Sequence, residues 1–111
     1  MESTLQSTTI AQLNDAFRKT FIGGVVVITQ GIQALPEESR KAILTAVQSF
    51  NDFNEDNDPY LEHDFAAFQH NGERLFWKLD YYNLTMDAGS ENPADPSITK
   101  RVLTIMLADE Y

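Results

Sequence analysis

The apolar positions change period along the chain, and each change marks an element. From about Thr9, the residues Ile10, Leu13, Phe17 and Phe21 recur at helical spacing and predict an amphipathic first helix. A polar segment over residues 1–8 precedes it and is expected to be flexible. Gly23–Gly24 ends the helix, because glycine tolerates a left-handed cap. Val25-Val26-Val27-Ile28-Thr29 is then a β-branched run without polar alternation. Such a run predicts a strand buried on both faces at the centre of a sheet. Leu35-Pro36-Glu37-Glu38 opens a second helix, since proline suits the first turn and the glutamates favour the positive end of the dipole. Its buried face is Ile43, Ala46, Val47 and Phe50. The run from Asn51 to Pro59 caps and turns, and stops it.

The clearest local signal is Asn71–Gly72 between two strand-like runs, which predicts a type I′ hairpin. A two-residue loop pairs His70 with Glu73, Phe68 with Leu75, and Ala66 with Trp77. One face then carries Ala66, Phe68, Leu75, Trp77 and Leu79, and is taken as the core face. The other carries Phe65, Ala67, Gln69, Arg74, Phe76, Lys78, Asp80 and Tyr82, a mixture that suits water or an interface. After a loop over residues 83–95, Asp95–Pro96 resembles the start of a third helix. Its stripe is Ile98, Val102, Ile105 and Met106, widened by Leu103 and Leu107. The expected fold is α+β, a single domain over residues 9–111 in the order α-β-α-β-β-α. Three helices pack on a small sheet of about three strands.

Composition narrows the chemistry. With no cysteine among 111 residues there is no disulfide, thiolate nucleophile or thiolate metal site. The longest apolar run, Val25 to Ile28, is too short to span a bilayer, and the first residues lack the pattern of a signal peptide, so the expected location is the cytoplasm. Seventeen acids against eight bases give a net charge of −9. A field of that sign repels phosphate and anionic membrane and attracts basic partners. The bases come mostly as pairs, Arg18–Lys19, Arg40–Lys41 and Lys100–Arg101. Between Ala42 and Glu73 there is no Lys or Arg, while Asp52, Glu55, Asp56, Asp58, Glu62, Asp64 and Glu73 lie in that stretch. The acidity is therefore a patch.

Each candidate for catalysis is incomplete. Alternating oxygen ligands from Asp52 to Asp58 suggest a calcium loop. Asn57 stands where the turn needs glycine, however, and His63 where a bidentate glutamate belongs. Glu62, Asp64 and Asp80 could share a face and hold magnesium in a small metal-dependent enzyme, with His63 nearby. The spacing of a nuclease site is missing, because Phe76 occupies the place of the second acid before Lys78. Neither His63 nor His70, which the hairpin turn is expected to expose, has a nucleophile elbow to pair with. Phosphate and dinucleotide loops are also missing, and no cofactor is expected.

Several separated segments resemble one family. These are Leu13-Asn14-Asp15-Ala16-Phe17-Arg18, Thr29-Gln30-Gly31-Ile32, Leu35-Pro36-Glu37-Glu38, Asn57-Asp58-Pro59-Tyr60 with Glu62-His63-Asp64-Phe65, Trp77-Lys78-Leu79-Asp80-Tyr81-Tyr82, and the ending Arg101 to Ala108. Together, over roughly residues 10–111, they resemble an uncharacterised bacterial family known only as a small domain of unknown function. The resemblance implies members in proteobacteria, often carried on plasmids and other mobile elements, and transfers no catalytic residue.

The expected function is that of a non-enzymatic acidic protein occupying a basic, nucleic-acid-binding surface of a host protein or nucleoprotein. An anti-CRISPR or anti-restriction inhibitor is the concrete form. Asp52, Glu55, Asp56, Asp58, Glu62 and Asp64 would make the charged contacts and Tyr60 would anchor them. Direct binding to nucleic acid or membrane is not expected. A homodimer through the broad apolar face of the last helix is a further expectation.

Overall fold

A computed structural model describes residues 8–111, with helix α1 bounded at Glu2–Thr20. The segment expected to be flexible lies, but for Thr8, outside the described residues. The order is α1, β1 (Gly24–Ile28), α2 (Gln30–Gln33), α3 (Glu37–Ser49), β2 (Phe65–His70), β3 (Glu73–Tyr82), β4 (Lys100–Leu107) and a terminal 3₁₀ turn (Ala108–Glu110). The four strands form one sheet ordered β1-β4-β3-β2. β2, β3 and β4 pair antiparallel, and β1 joins β4 in parallel. The α+β class stands, with four strands and a different order.

The hairpin has the expected register, Ala66 opposite Trp77, Phe68 opposite Leu75 and His70 opposite Glu73. Asn71 and Gly72 sit at φ +50 and +80, the left-handed pair that a type I′ turn requires. Helices α1 and α3 cover one face. There Phe17, Ile32, Ile43 and Val47 meet Ala66, Leu75, Trp77, Leu79, Leu103 and Ile105 in one buried cluster.

The largest correction concerns the last element. Residues expected to form a third helix are strand β4, and it occupies the interior of the sheet between β1 and β3. Leu103 and Ile105 point into the core beneath the helices, while Val102 and Met106 are buried on the opposite face. A strand buried on both faces shows no alternation, so its apolar residues fit a helical stripe equally well. Ile98, assigned to that stripe, is exposed. No helix face exists there to form the expected dimer seam. β1 is corrected in the reverse sense, because it is an edge strand whose Val25 and Val27 are exposed. His70 is half-buried, with Nε2 shielded, although the turn was expected to expose it.

Gly24 is required for space. A Cβ there would lie 2.5 Å from the Arg101 carbonyl oxygen and 2.8 Å from the Phe17 ring. Gly24→Ala should therefore destabilise the fold by about 1–3 kcal/mol, as overpacking does, and thermal unfolding will read the loss.

The open face of the sheet has no helix over it. Tyr111 crosses it instead, with its ring edge-on to Phe65 and Phe76 at 6.0 and 5.6 Å. Glu110 fastens this turn by accepting hydrogen bonds from Thr29 Oγ1 at 2.6 Å and from the Gly31 and Leu107 N–H groups, both at 2.9 Å. Those donors, Thr29 foremost, hold the Glu110 carboxyl below its ordinary range. A depressed folded pKa contributes stability above the unfolded value that is lost as pH falls through the folded one. Acidification below the carboxylate range should thus release the Tyr111 ring, seen as loss of its NMR contacts to Phe65 and Phe76. Glu110→Gln should loosen the same contacts at neutral pH.

Candidate functional site

The residues that carry the acidic patch belong to the long loop between α3 and β2, and a buried polar network fixes that loop to the domain. Asn14, Asp15 and Arg18 share one side of α1, at positions i, i+1 and i+4. Asn14 is fully buried and donates from Nδ2 to the Glu62 carbonyl at 2.9 Å and to the Tyr81 hydroxyl at 2.8 Å. Its Oδ1 accepts from Arg101 Nε at 2.7 Å. The Tyr81 hydroxyl donates in turn to Glu62 Oε1 at 3.0 Å. Burial raises the Tyr81 pKa far above its ordinary value, so the phenol remains a donor at any physiological pH.

Arg18, 1% exposed, is the second anchor. It donates from Nη1 to the Val47 carbonyl at 2.7 Å and to the Gln48 carbonyl at 3.3 Å, satisfying the end of α3. Nη2 meets Asp15 Oδ1 at 3.1 Å, and the guanidinium carbon stands 5.0 and 5.5 Å from the Trp77 and Phe53 ring centroids.

His63 joins the loop to this anchor. Its Nδ1 lies 2.9 Å from Asp15 Oδ2 and its Nε2 lies 3.5 Å from Asp58 Oδ2. Phe53 stacks on the imidazole at 3.9 Å with the rings 2° from parallel. Leu61 and His63 both take left-handed φ values, +59 and +55, which cost non-glycine residues about 1 kcal/mol or more each. The surrounding contacts hold them there. Asp58 Oδ1 accepts from the N–H groups of Glu62 and His63, both at 3.1 Å. Upstream, Asn54 Oδ1 caps the N–H groups of Asp56 and Asn57, and Asn57 Oδ1 accepts from Asn54 N–H.

The expected patch divides in two. Asp52, Glu55, Asp56 and Tyr60 are exposed, Tyr60 at 78%, and Leu61 beside it is also exposed. Asp58 is turned inward at 3% exposure, Glu62 is engaged by Tyr81, and Asp64 is half-buried. Burial first, then the Glu62 charge, raises the Asp64 pKa. The trio Glu62, Asp64 and Asp80 is not gathered as a metal centre: Asp80 pairs with Lys78 at 3.2 Å, and no three His, Asp or Glu groups among the described residues are arranged to hold a metal ion. His63 is poorly placed as a general base, because both ring nitrogens face carboxylates.

Asn14, Asp15, Arg18, Tyr81 and Arg101 escaped the sequence reading. Arg18 and Arg101 were read only as halves of adjacent basic pairs, and both are buried. The available signal was the spacing of Asn14 and Arg18, which places two polar residues beside Ile10 and Phe17 on the packed side of the helix.

Residues 28–110 match a family model described as a protein of unknown function (DUF3768). Neither a curated protein nor a solved structure matches.

Proposed function

We propose that this chain, which belongs to the DUF3768 family, is a non-enzymatic acidic binding protein that occupies a basic, nucleic-acid-binding surface of a partner. The observation that carries the reading is the shape of the α3–β2 loop. One side is tied down through Asn14, Asp15, Arg18 and His63, and the other presents Tyr60 and Leu61 among Asp52, Glu55 and Asp56. An exposed aromatic on a pre-ordered loop loses little entropy on binding, which is what an anchor residue requires. Two of the eight bases, Arg18 and Arg101, are buried, as against a single buried acid, Asp58, among the described residues, which leaves the surface slightly more acidic than composition implies. Carboxylates can stand where such a partner expects phosphates. An inhibitor of anti-CRISPR or anti-restriction type is the concrete form of this reading. Carriage on mobile elements, which the sequence resemblance implies, would suit it. No helix among the described residues is long and apolar enough to cross a membrane.

The test is binding to a basic, nucleic-acid-binding protein captured from the native host, measured by calorimetry at low and high salt. Glu55→Lys combined with Asp56→Lys should weaken binding at least about tenfold at low salt and less at high salt. Tyr60→Ala should cost about 2 kcal/mol at both. Affinity that is indifferent to salt and to the charge reversals would overturn the proposal.

A further inference from the structure

We propose that the β1 edge is the seam of a twofold homodimer, in which β1 pairs antiparallel with β1 of a second copy, centred on Val26. β1 is a sheet edge without the usual protections: Gly24-Val25-Val26-Val27-Ile28 has no charge and no proline. Its outward backbone groups can be assigned. Thr29 N–H donates to the Ile105 carbonyl of β4, and in a parallel ladder alternate residues bond the same neighbour. Val25 and Val27 therefore bond β4, while Gly24, Val26 and Ile28 turn their backbone groups outward. Gln33 Nε2 reaches the Ile28 carbonyl from outside the ladder at 2.8 Å, as that assignment requires, and leaves the outward Val26 groups without a partner among the described residues.

This pattern is self-complementary. Placed about a twofold axis at Val26, two β1 strands exchange both Val26 N–H···O bonds. Each Ile28 N–H then donates to Gly24 O of the second copy, with Gln33 undisturbed. The same register sets Val25 opposite Val27 of the second copy at the positions where cross-strand side chains come closest. These are the two valines of the strand that the monomer leaves exposed, at 36% and 41%.

Charge selects a second copy over other occupants. No charged residue occurs between Lys19 and Glu37, a neutral zone in a chain of net charge −9. The acidic loop leads into β2, at the opposite edge of the sheet. Two copies can thus meet at β1 with their acidic loops apart and screened. The β2 edge is flanked by Asp64 and Glu73 and would set like charges together. Twofold pairing of this kind is the commonest closed symmetry.

Sedimentation velocity on the full chain should show a concentration-dependent shift from monomer to dimer that high salt does not weaken. Val27→Lys should reduce association at least about tenfold while leaving the melting temperature unchanged at concentrations where both chains are monomeric, because its side chain is exposed in the monomer. The register has its own test in a protein without cysteine. A mixture of Val25→Cys and Val27→Cys chains should form a disulfide at least about tenfold faster than either variant alone, because only the mixed pair is directly opposed. A chain that stays monomeric to about millimolar concentration would overturn the proposal. So would a dimer indifferent to Val27→Lys whose mixed cysteine chains cross-link no faster than either alone, which would place the seam elsewhere, such as the open sheet face.

Discussion

Replacing Arg18 by methionine is expected to lower the unfolding free energy by about 3 kcal/mol, although methionine fills much of the same volume. The guanidinium joins three parts of the molecule. It satisfies carbonyls at the end of α3, holds the Asp15 carboxylate, and lies over Trp77. Removing it leaves the buried Val47 carbonyl with the long 3.4 Å bond from the Phe50 N–H, and leaves Asp15 with only His63 among the described residues. Lysine should not rescue the loss, since one ammonium cannot reproduce a planar fork that serves two carbonyls and a carboxylate. Urea denaturation followed by Trp77 fluorescence measures the change directly. A loss under about 1 kcal/mol would mean that the guanidinium is not the joint.

Trp77→Ala should cost more, about 4 kcal/mol, through the cavity it leaves. The indole is fully buried, opposite Ala66 on β2 and Ile105 on β4. Phe50 and Phe53 meet it edge-on at 5.8 and 6.0 Å. Its N–H makes no hydrogen bond among the described residues, so Trp77→Phe removes volume but no polar contact. That variant should lose only about 1–2 kcal/mol. The graded pair separates packing from polar loss. If phenylalanine proved as damaging as alanine, the indole nitrogen would have a role that its surroundings do not suggest.

What could be read in advance depended on how local the determining forces were. The β2–β3 register was legible because Asn71–Gly72 fixes it within a few residues. Helix α3 was legible for the same reason, its first turn being marked by Pro36, Glu37 and Glu38. β4 was not legible. Asp95 does cap, but it caps a turn, accepting from Ser97 N–H at 2.9 Å and Ser97 Oγ at 2.6 Å. Beyond that point, burial on both faces erased the periodicity. β1 misled in the complementary way, since a run of valines records strand propensity and not position within the sheet. In the candidate site the acidic residues were visible as a charge run. Their division into an exposed group and an inward Asp58 was not, because the anchors stand far off in sequence. Asn14 reaches Glu62 across 48 positions and Arg101 across 87. No window along the chain contains such a network.

The pairing of β1 with β4 has a consequence for the order of events during synthesis. Gly24 sits opposite Arg101, so a strand made in the first quarter of the chain finds its neighbour only when the last dozen residues have emerged. Loop closure over that distance is entropically slow, whereas the β2–β3 hairpin closes over a two-residue turn. The hairpin and its extension to β4 can assemble first, with β1 added last. Until then Val25-Val26-Val27-Ile28 waits unpaired beside the ribosome. Aggregation during expression should therefore depend on this one segment more than on any other, and a soluble charge within it should raise yield before it changes anything in the finished protein.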